Sequence, residues 1–291
     1  MIALLALLLA SPSGAVSQNP LTFAAGYYFD RGSYERALPL WRSLLQQEPA
    51  NLAILFRVAE LQLFLEGRTG VVPLFQTVYS EATPANRLLL RTRLQEIQSW
   101  FLSDRAQNAF LQAKQRASLG DWASALENLR TAASADPGQF LVLREKARIE
   151  RKLSRWDAYY RTLQEAHAAL PWDPVNRAEL AEAHLYFRDY AAALELARTA
   201  DDPGSLRWRE ITAIALADSG DTAAALPLLR ALTSGRTPVR PAVYATQAAL
   251  AQAEQRADEA RRLWARFAAA SGKGVSEAWD PYRTAERRPA E

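Results

Sequence analysis

Residues 120–137 read GDWASALENLRTAASADP: a glycine, a tryptophan two residues on, an alanine three after that, and a proline twelve further. The succession recurs along the chain. Gly32, Tyr34, Ala37 and Pro49 carry it near the start. Trp156 with Pro171, Tyr190 with Ala193 and Pro203, and Gly220 with Thr222, Ala225 and Pro238 carry it further on, and Ala257, Ala260 and Trp264 form a last copy. Trp122, Trp156 and Tyr190 are each 34 residues apart, and Pro137 and Pro171 keep the same step. A constant step of this length marks one supersecondary unit, repeated. Between the markers Ala, Leu, Arg, Glu and Gln dominate, all good helix formers. The pattern therefore predicts two helices per unit. A glycine ends the first helix, an aromatic fills the space under the turn, and a proline stops the second. Ala25, Ala59, Ala113, Ala147, Ala181, Ala213 and Ala248 fall near the middle of the first helices and admit the second at close range.

A 34-residue helix pair of this kind resembles the tetratricopeptide repeat (TPR). The resemblance covers roughly residues 18–272. It implies an all-α, right-handed α-solenoid of about seven stacked antiparallel helix pairs, each covering the apolar face its neighbour leaves bare. Three places depart from the pattern. Tyr159 stands where the packing alanine is expected, and Val72 stands there in the second unit. Pro84 and Pro137 are 53 residues apart, one period plus 19, and Leu90, Leu94, Ile97 and Phe101 inside that excess form one apolar helical stripe. Around residues 85–104 either a helix is extended or one is inserted. Residues 273–291 lack periodicity and read as a flexible C-terminal tail.

With 49% apolar and 23% charged residues and only 12 Gly and 15 Pro, the chain is neither collagen-like nor a linker. The net charge of +3 is small for 291 residues, and no dense basic cluster carries interleaved aromatics, so a nucleic-acid partner is not expected. There is no cysteine, hence no disulfide framework or thiolate metal site. Residues 1–17 read as a signal peptide. Residues 2–10 are continuously apolar, too few to span a bilayer, and cleavage after Ala15 or Ser17 satisfies the small-x-small rule. No Lys or Arg precedes the apolar run, which leaves a mis-set start codon or an uncleaved anchor as the alternatives. The expected location is periplasmic or secreted, in a bacterial-type envelope, with no stable membrane insertion after cleavage.

No catalytic residue, cofactor or metal is expected. His167 and His184 are the only histidines and show no metal-ligand spacing, and neither a phosphate loop nor a G-x-S-x-G elbow is present. The resemblance instead implies ligand binding on the first helices, at the second, fifth, ninth, twelfth and thirteenth positions of each unit. In the fourth unit these are Leu141, Arg144, Arg148, Arg151 and Lys152; the third contributes Phe110 and Lys114, and the fifth Glu182 and Tyr186. Arg144, Arg148, Arg151 and Arg155 also follow 4-3-4 spacing, a basic stripe suited to carboxylates. Glu145 and Glu150 flank the stripe, so a solvated charged face is the competing interpretation. In the second unit the positions are Ala53, Phe56, Glu60, Leu63 and Phe64, either an apolar anchoring pocket or core beneath the irregular segment. The function these features imply is an adaptor that binds a protein or peptide, with an acidic segment or a chain terminus, in the groove. A self-associating spacer, forming homo-oligomers, is the alternative, and an enzyme with an unrecognised pocket ranks third.

Overall fold

The computed structural model describes residues 19–235 and 237–271; residues 1–17, expected to be a signal peptide, and residues 273–291, expected to be a tail, lie outside them. Among the described residues there are fifteen α-helices and no strand. They form two compact units, divided after Ile97. In the first unit, α1 (Pro20–Asp30) pairs with α2 (Tyr34–Gln47) and α3 (Leu52–Glu66) with α4 (Val71–Tyr79). A single helix follows, α5 (Pro84–Ser99). In the second unit, α6 (Asp104–Ser118) pairs with α7 (Trp122–Ala135), α8 (Phe140–Lys152) with α9 (Trp156–Ala169), and α10 (Pro174–Tyr186) with α11 (Tyr190–Arg198). Two more pairs complete it: α12 (Leu206–Ser219) with α13 (Thr222–Ser234), and α14 (Pro241–Ala253) with α15 (Ala257–Ser271). The 19-residue excess is thus an inserted helix, with Leu90, Leu94 and Ile97 fully buried. Pro84 opens α5 and does not close α4.

The hairpin turn has one geometry with a local cause. Gly32, Gly120 and Gly220 have φ of 71°, 77° and 95°, and Ser154, Arg188 and Gln255 take the same position with φ of 54°, 62° and 61°. In each of these six turns the second helix starts two residues later. The intervening N–H of Ser33, Asp121, Arg155, Asp189 and Arg256 reaches back five residues, as in Asp121 to the Arg116 carbonyl (3.0 Å) and Arg155 to that of Glu150 (2.9 Å). This six-to-one closure satisfies carbonyls that a helix end leaves orphaned. Asp121, Asp189 and Asp221 then cap the following helix by accepting the N–H three residues on. The second hairpin differs: α4 begins four residues after Gly67, so Val72 is only half-buried, and Val71 and Phe75 take the core positions instead.

Each turn delivers the same residue to the interior. Ala25, Ala59, Ala113, Ala147, Ala181, Ala213 and Ala248 are all buried on the first helices. Ala37, Ala125, Ala193, Ala225 and Ala260 are buried one turn into the second helices. The aromatics Tyr34, Trp122, Trp156 and Tyr190 sit half-buried at the starts of those helices. Pro49, Pro137, Pro171, Pro203 and Pro238 lie in the connections to the next hairpin.

Two expected outcomes test this register. A Cβ at Gly120 meets nothing within 4 Å, so Gly120→Ala costs only the left-handed backbone strain, about 1 kcal/mol, read as a lower thermal midpoint. Ala125→Trp overpacks a fully buried junction and lowers the midpoint further, by about 1–3 kcal/mol or more. An Ala125→Trp variant as stable as the parent would mean the junction is not packed there.

Candidate functional site

The second unit holds a cleft of about 350 Å³ lined by the first helices of three successive hairpins. That is the lower end of the size range of small-ligand sites. Its floor is apolar: Ala147 on α8 with Tyr159 and Leu163 on α9, all buried. Tyr159 occupies the junction where other hairpins carry alanine and packs among Ala147, Leu163, Leu180 and Ala183. Burial raises its phenol pKa, so the floor stays neutral. Phe110 on α6, Leu141 on α8 and Val175 on α10 add apolar walls, and Val175 is 45% exposed. Asn176 is fixed below by donating its Nδ2 to the Leu163 carbonyl (3.3 Å).

The rim is basic. Lys114 comes from α6 and Arg144, Arg148 and Arg151 from one face of α8, opposed by Glu145 and Glu179. Arg148 is held by its own helix, with Nε and Nη2 donating to Glu145 at 2.9 and 2.5 Å. Arg151 donates to Glu179 at 3.4 Å, and burial raises the Glu179 pKa against the pull of Arg151. Lys114 and Arg144 are exposed and pair with no carboxylate among the described residues. Instead each lies over a ring, Lys114 at 5.9 Å from the Phe110 centroid and Arg144 at 5.6 Å from that of Phe140. Four cations against two carboxylates leave the cleft a formal +2.

The other expected site residues separate from it. Arg155 is the N-cap of α9 and not part of the α8 stripe, and Lys152 is exposed but does not line the cleft. Glu182 is buried in an ion-pair network with Arg207 (2.8 Å) and Arg240 (2.5 Å), and Arg240 also holds Glu210 (2.5 Å). Tyr186 is half-buried and packs on Trp156, centroids 5.5 Å apart. In the second hairpin most of the expected residues are engaged by neighbours within the first unit. Phe56 stacks on Phe75 (5.9 Å) with the Arg93 guanidinium of α5 over its ring, Glu60 pairs with Arg57 (3.0 Å) and Arg93, and Leu63 is core. Phe64 remains 42% exposed. Sequence reasoning misses Tyr159, Leu163, Asn176 and Glu179 as cleft residues. Val175 is within its reach, since it holds the second position of the fifth unit, and Tyr159 already stands out as a break in the repeat.

Neither histidine lines the cleft. His184 Nδ1 lies 3.0 Å from Asp189 Oδ2 and 3.2 Å from the Tyr160 hydroxyl. Among the described residues no group of three His, Asp or Glu side chains is arranged to hold a metal, and no helix is long and apolar enough to cross a membrane.

No family model matches the chain, and no curated protein matches it in sequence. Among solved structures it is similar to MamA (residue 41 to the end) from Desulfovibrio magneticus RS-1, with 12% identity over 60% of this chain and all of that one (TM-score 0.49). A tetratricopeptide repeat protein from Parabacteroides merdae is similar at 14% identity over 87% of this chain and 93% of that one (TM-score 0.42). PilW, a type IV pilus biogenesis factor, is similar at 16% over 76% and 94% (TM-score 0.35). The hairpins are tetratricopeptide-like. The 34-residue step and the shared turn register carry that assignment, and the likenesses say nothing about partners.

Burial, chiefly, depresses His167 to about 4. An unfolded histidine titrates near 6.5. On acidification the unfolded chain therefore takes up the proton first, and stability present above about pH 6.5 is lost as pH falls toward about 4. His167→Gln is expected to flatten that part of the acid limb in thermal midpoints measured across this window. Parallel curves for parent and variant would show that His167 titrates normally.

Proposed function

We propose that this protein is a protein-binding scaffold that captures an acidic peptide segment of a partner in the α6–α8–α10 cleft. The observation that carries the reading is the pair Lys114 and Arg144. They are cations on adjacent first helices that make no ion pair among the described residues, while Arg148 and Arg151 are already engaged. An exposed guanidinium shelved on a ring is pre-oriented, so less side-chain freedom is lost when it meets a carboxylate. The apolar floor beneath favours a segment that brings a large side chain along with its charge. Export to a bacterial-type envelope belongs to the same proposal and is supported by the apolar stretch at residues 2–10.

A self-associating spacer draws no support from the last hairpin. Among the described residues α15 exposes no large apolar side chain; its outward positions are Asp258, Arg261, Arg262, Arg266, Ser271 and alanines.

The test is fluorescence anisotropy with a synthetic Glu/Asp-rich peptide carrying one leucine. Arg144→Ala is expected to weaken binding about 10-fold, the worth of one charge-assisted hydrogen bond. Joint reversal of Lys114, Arg144, Arg148 and Arg151 to Glu should abolish binding with helical circular dichroism unchanged, and binding should fall with added salt. Capture that survives the reversal would overturn the proposal.

A further inference from the structure

Helix α1 reads PLTFAAGYYFD and carries no charge before Asp30. Its inner side is core, with Ala25 and Phe29 buried, yet on the opposite side Phe23 is 78% and Tyr27 42% exposed. A helix that is apolar all round belongs inside a larger body. The later hairpins show what covers that side. Leu61, Ile149, Ala183 and Ala215 stand where Tyr27 stands, two residues past the buried alanine of a first helix, and these four are buried. They pack on the hairpin before them: Leu61 clusters with Ala37 and Leu44, and Ala183 with Ala147 and Tyr159. Among the described residues α1 has no preceding hairpin. Gly26 is a second, independent observation. In every other first helix the residue after the buried alanine has a side chain, and a Cβ at Gly26 would meet nothing within 4 Å. Glycine is a poor helix former, and no described neighbour requires it there. It leaves a notch that admits close approach from outside.

We propose that two copies of this protein pair through antiparallel α1 helices, Phe23 of each filling the notch at Gly26 of the other. Knob and notch lie three residues apart on one helix face, so the face is its own complement. A pairing that sets residue 23 opposite residue 26 of the second copy also sets residue 30 opposite residue 19. The Asp30 carboxylate then meets the positive N-terminal end of the second copy's α1. A parallel pairing would set Asp30 against Asp30. The Arg31 guanidinium, 4.2 Å from the Tyr27 ring centroid, holds that ring beside the notch. Head-to-tail growth has no matching surface at the other end of the chain, where the outward positions of α15 are charged residues, a serine and alanines. The junction therefore closes as a dimer. Built on one helix of 11 residues, it is small, so the pair is weak and concentration-dependent. It is independent of what the cleft binds.

The test is sedimentation equilibrium of the full chain from about 1 µM to 1 mM, where the mass is expected to rise to that of a dimer and no further. Gly26→Leu fills the notch while favouring the helix, so it should weaken pairing about 10-fold or more with the thermal midpoint of the dilute protein unchanged or higher. Phe23→Ala should weaken pairing by a similar factor. Because the chain has no cysteine, single introduced thiols report the register. A short bismaleimide should join a Pro20→Cys chain to an Asp30→Cys chain. It should leave Asp30→Cys chains unjoined to each other, since their thiols lie about 16 Å apart along the helix axis. A chain that stays monomeric throughout overturns the proposal. So does association that Gly26→Leu leaves unchanged, as pairing through the apolar residues 2–10 would be, or crosslinking that joins the Asp30→Cys chains to each other as readily.

Discussion

The succession of hairpins depends on how closely a first helix approaches what packs against it, and one methyl group sets that distance. Seven first helices carry a buried alanine at the equivalent place. A larger side chain there has nowhere to go in an interior packed as densely as an organic crystal. The hairpin turn serves this contact. Its left-handed residue, closed in five turns by a six-to-one hydrogen bond, goes with a second helix that starts two residues later in six of seven turns. That interval puts the second alanine on the inward face. Where the interval changes, at Gly67, the residues reaching the core change with it.

The cleft forms where this regularity lapses. Tyr159 stands in place of the alanine that closes other junctions, and its ring becomes part of a floor. On α3, where the sequence left an apolar pocket and core as alternatives, a second irregularity engages Phe56 and Glu60. The inserted α5 turns Leu90, Leu94 and Ile97 inward and brings Arg93 over Phe56 and onto Glu60. One departure from the repeat adds a ring to the cleft floor, and the other draws the expected α3 residues into packing with α5.

Charge divides in the same way. Many arginines in the described chain are matched to carboxylates, either three residues away on their own helix, as with Arg148 and Glu145, or across helices, as with Arg240, Glu182 and Glu210. Exposed pairs of the first kind add little to stability. Buried pairs of the second kind hold positions that would otherwise strand a charge. Against that background Lys114 and Arg144 stand at the rim of the cleft, each over a ring and with no ion-pair partner among the described residues.

The sequence by itself determined the all-helical hairpins, their number, the turn positions and the alanine contacts, because these depend on interactions within a few residues or on a strict period. It also placed Phe110, Lys114, Leu141, Arg144, Arg148 and Arg151 on groove-facing positions, and the structure brings them to one cleft. Only the tertiary structure decided that the excess around residues 85–104 is a separate helix. It alone showed that Glu60 and Glu182 are consumed by arginines 33 and 58 residues away, and that Tyr159, Leu163 and Glu179 complete the cleft. The reason is physical: a local period says which way a side chain faces, but which partner meets it there is settled by helices distant in the chain.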